Sequence, residues 1–85
     1  MPYEIRFKKS ALKEFEKLSL TIQQNLVIDI AHLANTPRPN GCKKLKGTKN
    51  IWRIRNGDYR IIYTVEDYIL MIEVIKIGHR RDVYE

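Results

Sequence analysis

The chain has 85 residues, a net charge of +6 and a single cysteine. That length supports one small domain, residues 1–85, and an ordinary apolar fraction of 44% argues against wholesale disorder. A lone Cys42 excludes an internal disulfide or a thiolate zinc cage. With no run of about twenty apolar residues and no leader pattern in Met-Pro-Tyr-Glu-Ile-Arg-Phe, a cytoplasmic protein with no membrane association is expected.

The elements follow in order. Tyr3, Ile5 and Phe7 alternate with Glu4 and Arg6, as in a strand with one buried face. Ser10 suits the cap of a helix that turns Leu12, Phe15 and Leu18 inward. Thr21 and Gln24 match a capping box, and the helix after them places Ile22, Leu26, Ile30 and Leu33 on one stripe, with Val27 and Ala34 beside it. Pro37 ends that helix near Asn35, because the residue before a proline disfavours helix. Residues 36–49, with Pro37, Pro39, Gly41 and Gly47 among lysines, read as loop. Ile51 to Arg55 and Tyr59 to Val65 read as strands joined by a two-residue turn at Asn56-Gly57. Glu66 and Asp67 supply the next turn. Ile69 to Ile77 is apolar at nearly every position, as a central strand covered on both faces is, and Gly78 ends it. The expected architecture is α+β, β-α-α-β-β-β, with two antiparallel helices packed on a mostly antiparallel four-stranded sheet.

Charge is concentrated in the middle. Residues 38–60 hold eight cations (Arg38, Lys43, Lys44, Lys46, Lys49, Arg53, Arg55 and Arg60) against one anion, Asp58. A polyanionic partner accounts for that density, and a solvated basic loop is the plainer account of the same residues.

Hairpin counting sharpens the choice. With the turn at Asn56-Gly57, Arg55 faces Asp58, Ile54 faces Tyr59, Arg53 faces Arg60 and Trp52 faces Ile61. Directly paired residues share a side of the sheet. One side then carries Trp52, Ile54, Tyr59, Ile61 and Tyr63, and the other carries Arg53, Arg55 and Arg60. Like charges across a ladder are destabilising, and a phosphate seated among guanidinium groups converts the repulsion to attraction. The competing account has Asp58 neutralising Arg55 and Glu73, on the next strand, neutralising Arg60. The C-terminal Gly78-His-Arg-Arg-Asp-Val-Tyr84 adds His79, a side chain able to move a proton near neutrality, and Tyr84, which suits stacking on a base. A frayed basic tail is the plainer account of those residues.

Three segments carry a family resemblance: Lys43-Lys-Leu-Lys-Gly47, Trp52-Arg-Ile-Arg-Asn-Gly-Asp-Tyr-Arg-Ile-Ile-Tyr63 and Gly78-His-Arg-Arg-Asp-Val-Tyr84. With the N-terminal strand and Ala-Leu-Lys-Glu-Phe helix, they resemble the RelE branch of the RelE/ParE toxin superfamily over essentially the whole chain. The resemblance implies the toxin of a type II toxin–antitoxin system, an mRNA interferase that enters the ribosomal A site and cuts the message there. It implies no cofactor and no metal, the RNA 2′-hydroxyl being the nucleophile. The family's functional basic positions fall on Arg53, Arg55, Arg60 and Arg80, and its terminal aromatic falls on Tyr84. Arg60 and Arg80 are then expected to stabilise phosphate charge, and Arg53 and Arg55 to hold the flanking backbone. Lys43, Lys44, Lys46, Lys49 and Arg81 are expected to grip ribosomal or messenger RNA. Some relatives have lysine at Arg53 and Arg55. Arginine is a poor general base, which turns attention to His79 for proton transfer. The implied partners are an acidic RelB-like antitoxin, the ribosome with its mRNA, and operator DNA read only through the antitoxin. Two alternatives stand beside this: a ParE-like poison of gyrase without nuclease activity, and a non-catalytic nucleic-acid-binding module. Cys42 is expected to be a passive loop thiol.

Overall fold

The computed structural model describes residues 2–81. The elements are β1 (Glu4–Phe7), α1 (Lys9–Glu16), α2 (Leu20–His32), β2 (Lys43–Lys44), β3 (Ile51–Asn56), β4 (Tyr59–Glu66), a single 3₁₀ turn (Asp67–Ile69) and β5 (Met71–His79). The sheet has five strands in the order β1-β5-β4-β3-β2. All neighbours are antiparallel except β1 and β5, whose parallel pairing follows from the two-helix crossover between β1 and the later strands. The α+β class and the mostly antiparallel sheet are as expected. The fifth strand is β2, two residues long and therefore without periodicity to announce it. Beyond it the Leu45 N–H donates to the Ile51 carbonyl at 2.9 Å, so part of the expected loop is the first arm of a hairpin with β3.

The helices cover one side of the sheet. Ala11, Leu26, Ile30 and Leu33 meet Ile54, Ile61, Tyr63, Val65, Ile72, Val74 and Ile77 in one buried cluster, with Phe7, Phe15, Leu18 and Ile22 packed against it. Each fully buried Leu, Ile or Val side chain contributes about 1.5–3 kcal/mol. On α1 the inward residue of the first turn is Ala11 rather than Leu12, which is largely exposed, as is Val27 on α2. Helix α2 is capped two residues earlier than expected: Ser19 Oγ accepts from the Ile22 N–H at 3.4 Å, and Thr21 lies inside the first turn. Ser10 is likewise inside α1, whose preceding residue, Lys8, makes no side-chain cap. No helix among the described residues is long and apolar enough to cross a membrane.

Two register features place the site. The β3–β4 hairpin pairs Asn56 with Tyr59, Arg55 with Arg60, Ile54 with Ile61 and Arg53 with Ile62. The turn is therefore Gly57-Asp58, not Asn56-Gly57. Gly57 has φ 59°, and Asp58 is not among the residues with positive φ, which is the type II′ pattern with glycine first. Asn56 is held in the strand by tertiary contacts: its Nδ2 donates to Asp29 Oδ2 at 2.7 Å and to the Asn25 carbonyl at 3.3 Å on α2. The ladder has moved by two residues, so every side chain keeps its expected side. In β5, Ile62 pairs with Lys76 but Tyr63 pairs with Val74, leaving Ile75 as a bulge residue. The bulge changes the alternation, so Val74 and Ile77, three residues apart, both enter the core. This strand is apolar at nearly every position because its phase shifts midway, rather than because both faces are covered.

A clasp closes the end of the sheet farthest from the Gly57-Asp58 turn. Asp67 accepts from Tyr3 Oη at 2.6 Å and from both terminal nitrogens of Arg38, at 3.4 and 2.9 Å. Arg38 also lies 5.1 Å from the centre of the Trp52 ring. Arg38 first and Tyr3 second hold the Asp67 carboxyl below its usual range, and the Asp67 contact raises the Tyr3 hydroxyl. Arg38 thus serves the fold, although it lies in the basic stretch of sequence. Beside the clasp the buried Tyr63 hydroxyl donates to the Pro37 carbonyl at 2.7 Å, and burial pushes its pKa up, with Cys42 as the next cause.

Candidate nucleic-acid interface

One side of the β3–β4 ribbon carries the arginines. Strand alternation and the Arg55–Arg60 pairing put Arg53, Arg55 and Arg60 on the side away from the helices. The like-charge cross-strand pair is Arg55 with Arg60, rather than Arg53 with Arg60. Arg53 is only 3% exposed, Arg60 is half-buried and Arg55 is exposed. Burial first, then the charges of Arg60 and Arg55, lowers the Arg53 guanidinium below its ordinary value. The three charges are close enough to oppose one another.

The neighbouring strands complete this side. Across β5, Arg60 faces Gly78 and Ile62 faces Lys76; across β2, Arg53 faces Lys43. Glu73 faces Thr64 and Arg6 instead of Arg60. The reason is the length of the β4–β5 connection: Glu66 pairs with Met71, and four residues lie between them, including Leu70 in the left-handed region at φ 51°. A two-residue turn would have brought Glu73 opposite Arg60. Asp58 does not neutralise Arg55 either; its carboxylate approaches Arg80 Nε at 3.9 Å, between two exposed side chains, a contact worth little on a wet surface. Neither carboxylate of the competing account takes the place that account gave it.

Strand β5 runs past Gly78 to His79, so the tail continues the sheet rather than leaving it at the glycine. The Arg80 N–H donates to the Asp58 carbonyl at 2.7 Å, which ties Arg80 to the hairpin turn next to the arginine row. His79 is on the other side. It pairs with Tyr59, and its ring stands edge-on to the Tyr59 ring at 5.6 Å. Its Nδ1 accepts from the Arg81 N–H at 3.2 Å. The structure therefore brings together Arg53, Arg55 and Arg60, with Arg80 beside them, and separates His79 from them by the thickness of the sheet. Lys43 shares the arginine side, whereas Lys44 pairs with Trp52 and shares the opposite one. Lys46 and Lys49 are exposed in the β2–β3 loop, and Arg81 is exposed after β5. Tyr84 lies outside the described residues.

Two members of this surface escaped sequence reading. Lys76 joins the arginine side because of the bulge at Ile75. Glu14 of α1 accepts the Ile77 N–H at 3.1 Å and lies 3.7 Å from Lys76 Nζ, bracing the half of β5 that outruns β1. The only signal for either was the run of apolar residues out of phase in β5.

A side of a sheet that concentrates guanidinium groups beside a short, basic hairpin arm presents a cationic surface of the kind that attracts polyanions. Residues 5–84 match the family model described as the ParE toxin of type II toxin–antitoxin systems, parDE. The chain is 35% identical to a RelE-like toxin protein of Escherichia coli, covering 99% of this chain and 92% of that one. It is 33% identical to the mRNA interferase toxin RelE of Escherichia coli K12, covering 94% and 85%. Among solved structures, the archaeal RelE–RelB complex from Pyrococcus horikoshii superposes with a TM-score of 0.83 at 27% identity, covering 98% of this chain and 100% of that one. The chain belongs to the RelE/ParE superfamily of type II toxins, in its RelE branch.

Proposed function

We propose that this protein is a ribosome-dependent endoribonuclease that cuts mRNA in the A site. The observation that carries the reading is the Arg55–Arg60 pair with Arg53 buried on the same side of the sheet. Guanidinium groups gathered on one side of a sheet present donor forks that suit the oxygens of a sugar–phosphate strand. The message's 2′-hydroxyl gives its proton to solvent water as its oxygen bonds to the adjacent phosphorus, the bond from phosphorus to the 5′-oxygen breaks, that oxygen takes up a proton from water, and a 2′,3′-cyclic phosphate remains. Charge grows on the non-bridging oxygens during attack. Arg60 and Arg80 stabilise it, while Arg55 and Lys43 hold the flanking phosphates. Arg53 contributes to the field from beneath. Arginine stays protonated, so these groups act as cations and donors, not as bases. His79 enters as a positioning residue that braces the turn carrying Arg80, because its ring faces the helix side. Tyr84 is proposed to stack on a base beside the cut. No cofactor and no metal are assigned a step.

The test is cleavage on programmed ribosomes, with mRNA ends mapped, for wild type against Arg60→Ala and Arg80→Ala. Each substitution should cost about 100-fold or more, the effect of removing one oxyanion-type donor. Retained cutting by both variants would refute the assignment. A second reading, gyrase poisoning without RNA chemistry, is favoured by the ParE description of the matching family model. Intact message together with blocked gyrase would establish it.

The partner in this reading is an acidic, RelB-like antitoxin in the cytoplasm, as the Pyrococcus horikoshii relative is found in complex with RelB. It also supplies contact with operator DNA. Association should weaken as salt rises, because the exposed side of the toxin is cationic.

A further inference from the structure

The arginine row leads to a cavity that the nuclease reading does not use. Strand β2 covers β3 only at Trp52 and Arg53. Ahead of β2 the chain leaves the edge through a turn at Pro39-Asn40-Gly41-Cys42, closed by the Cys42 N–H on the Pro39 carbonyl at 3.0 Å. Gly41, third in that turn, has φ 88°, as a type II turn requires. A gap of about 500 Å³ opens between this turn, the last turns of α2 and the uncovered edge of β3. Its lining includes Asp29, His32, Pro39, Asn40, Ile54 and Arg55.

The lining has a definite chemistry. Asn56 and Tyr59 flank a two-residue turn, so they are a hydrogen-bonded pair, and by alternation the Arg55 N–H and C=O point away from β4, toward the gap. Among the described residues neither β2 nor the 39–42 turn bonds to them. They offer one donor and one acceptor side by side. Asp29 Oδ2 is taken by Asn56 Nδ2 at 2.7 Å, which fixes the carboxylate and leaves Oδ1 available as an acceptor. Pro39 and Ile54 supply apolar wall, and His32 and Asn40 are further polar groups at the rim.

We propose that this gap is a nucleobase subsite, which takes one unstacked base of the RNA held on the arginine row and favours a base with an exocyclic amino group. The inference deepens, and rests on, the nuclease reading, since Arg55 belongs both to the row and to the lip of the gap. A base presents donor and acceptor on one edge to match the Arg55 peptide groups, and its amino group donates to Asp29. Uracil has no amino group to offer. An acidic peptide is less well served, because Asp29 would repel it.

The experiment is NMR titration of ¹⁵N-labelled toxin with each of the four nucleoside 5′-monophosphates and with inorganic phosphate. The adenosine, cytidine and guanosine compounds should move the Gly41 and Arg55 backbone amides and the Asn56 side-chain amide, with uridine monophosphate binding about tenfold more weakly. Inorganic phosphate should move the arginine side alone. Asp29→Asn, which keeps an acceptor for Asn56, should erase the discrimination and narrow rate differences among A-site codons on programmed ribosomes. Equal binding of all four nucleotides, or unmoved Gly41 and Asn56 resonances, would overturn the proposal. So would a shift of those resonances by the antitoxin and not by nucleotides, which would give the gap to the protein partner. Absence of mRNA cutting with the nucleotide shifts intact would remove the nuclease reading and leave the base site standing.

Discussion

Replacing Arg55 by glutamine should make the protein more stable and less active. Arg55 stands directly across from Arg60, and their Cβ atoms are therefore about 5 Å apart. The guanidinium charges lie further out on flexible stems, and unit charges about 5–10 Å apart repel by about 0.4–1 kcal/mol in a water-like medium and about 2–3 kcal/mol at an effective dielectric constant near 20. Arg55 is exposed, so the lower range applies. Glutamine keeps much of the aliphatic stem and removes the charge. Urea unfolding in 10 mM salt should show a gain of about 0.4–1 kcal/mol over wild type, against the usual direction for a substitution. In 1 M salt, where the Debye length shrinks from about 30 Å to about 3 Å, the gain should vanish. The same variant should cut programmed mRNA more slowly. A variant less stable than wild type in low salt, or a gain insensitive to salt, would show that the pair does not repel and would take the main support from the phosphate reading.

Other expectations follow from the clasp and the turns. Tyr63→Phe leaves the Pro37 carbonyl without its buried donor and should cost about 1–3 kcal/mol in urea unfolding. Gly57→Ala meets no neighbouring atom within 4 Å, so its cost, about 1–2 kcal/mol, should come entirely from backbone conformation at φ 59° and should be absent in Gly57→D-Ala made by synthesis. Asp67, whose pKa is depressed in the fold, contributes stability that is present above the unfolded-state value near 3.9 and is lost as pH falls through the folded one. Tyr3 and Tyr63, whose values are raised, contribute stability present below about pH 10 and lost as pH rises further. Thermal melts across pH should therefore lose an acid-limb component in Asp67→Asn and an alkaline-limb component in Tyr3→Phe.

How much of this was legible in the residues depends on which physical rule each feature obeys. The stripe Ile22, Leu26, Ile30, Leu33 follows the helical period and could be read directly. The three arginines could be assigned to one side although the turn was misplaced, because a two-residue slip preserves strand parity. The turn itself was decided by Asn56 bonding to Asp29 and Asn25, contacts some thirty residues away that no local signal encodes. The bulge at Ile75 was equally hidden, and with it the pairing of Arg60 with Gly78, the place of Lys76 on the arginine side and the side on which His79 lies. Strand β2 was too short to show alternation. Tyr84 falls outside the described residues, and its role rests on the family resemblance.

The Tyr3–Asp67–Arg38 clasp and the arginine row occupy opposite ends of the same ribbon, with the buried cluster between them. The clasp therefore lies away from the surface proposed to meet RNA. Under that proposal, an exposed side chain of the row such as Arg55 can be exchanged for one of different charge or reach without undoing the clasp, so a change of target requires no rebuilding of the scaffold.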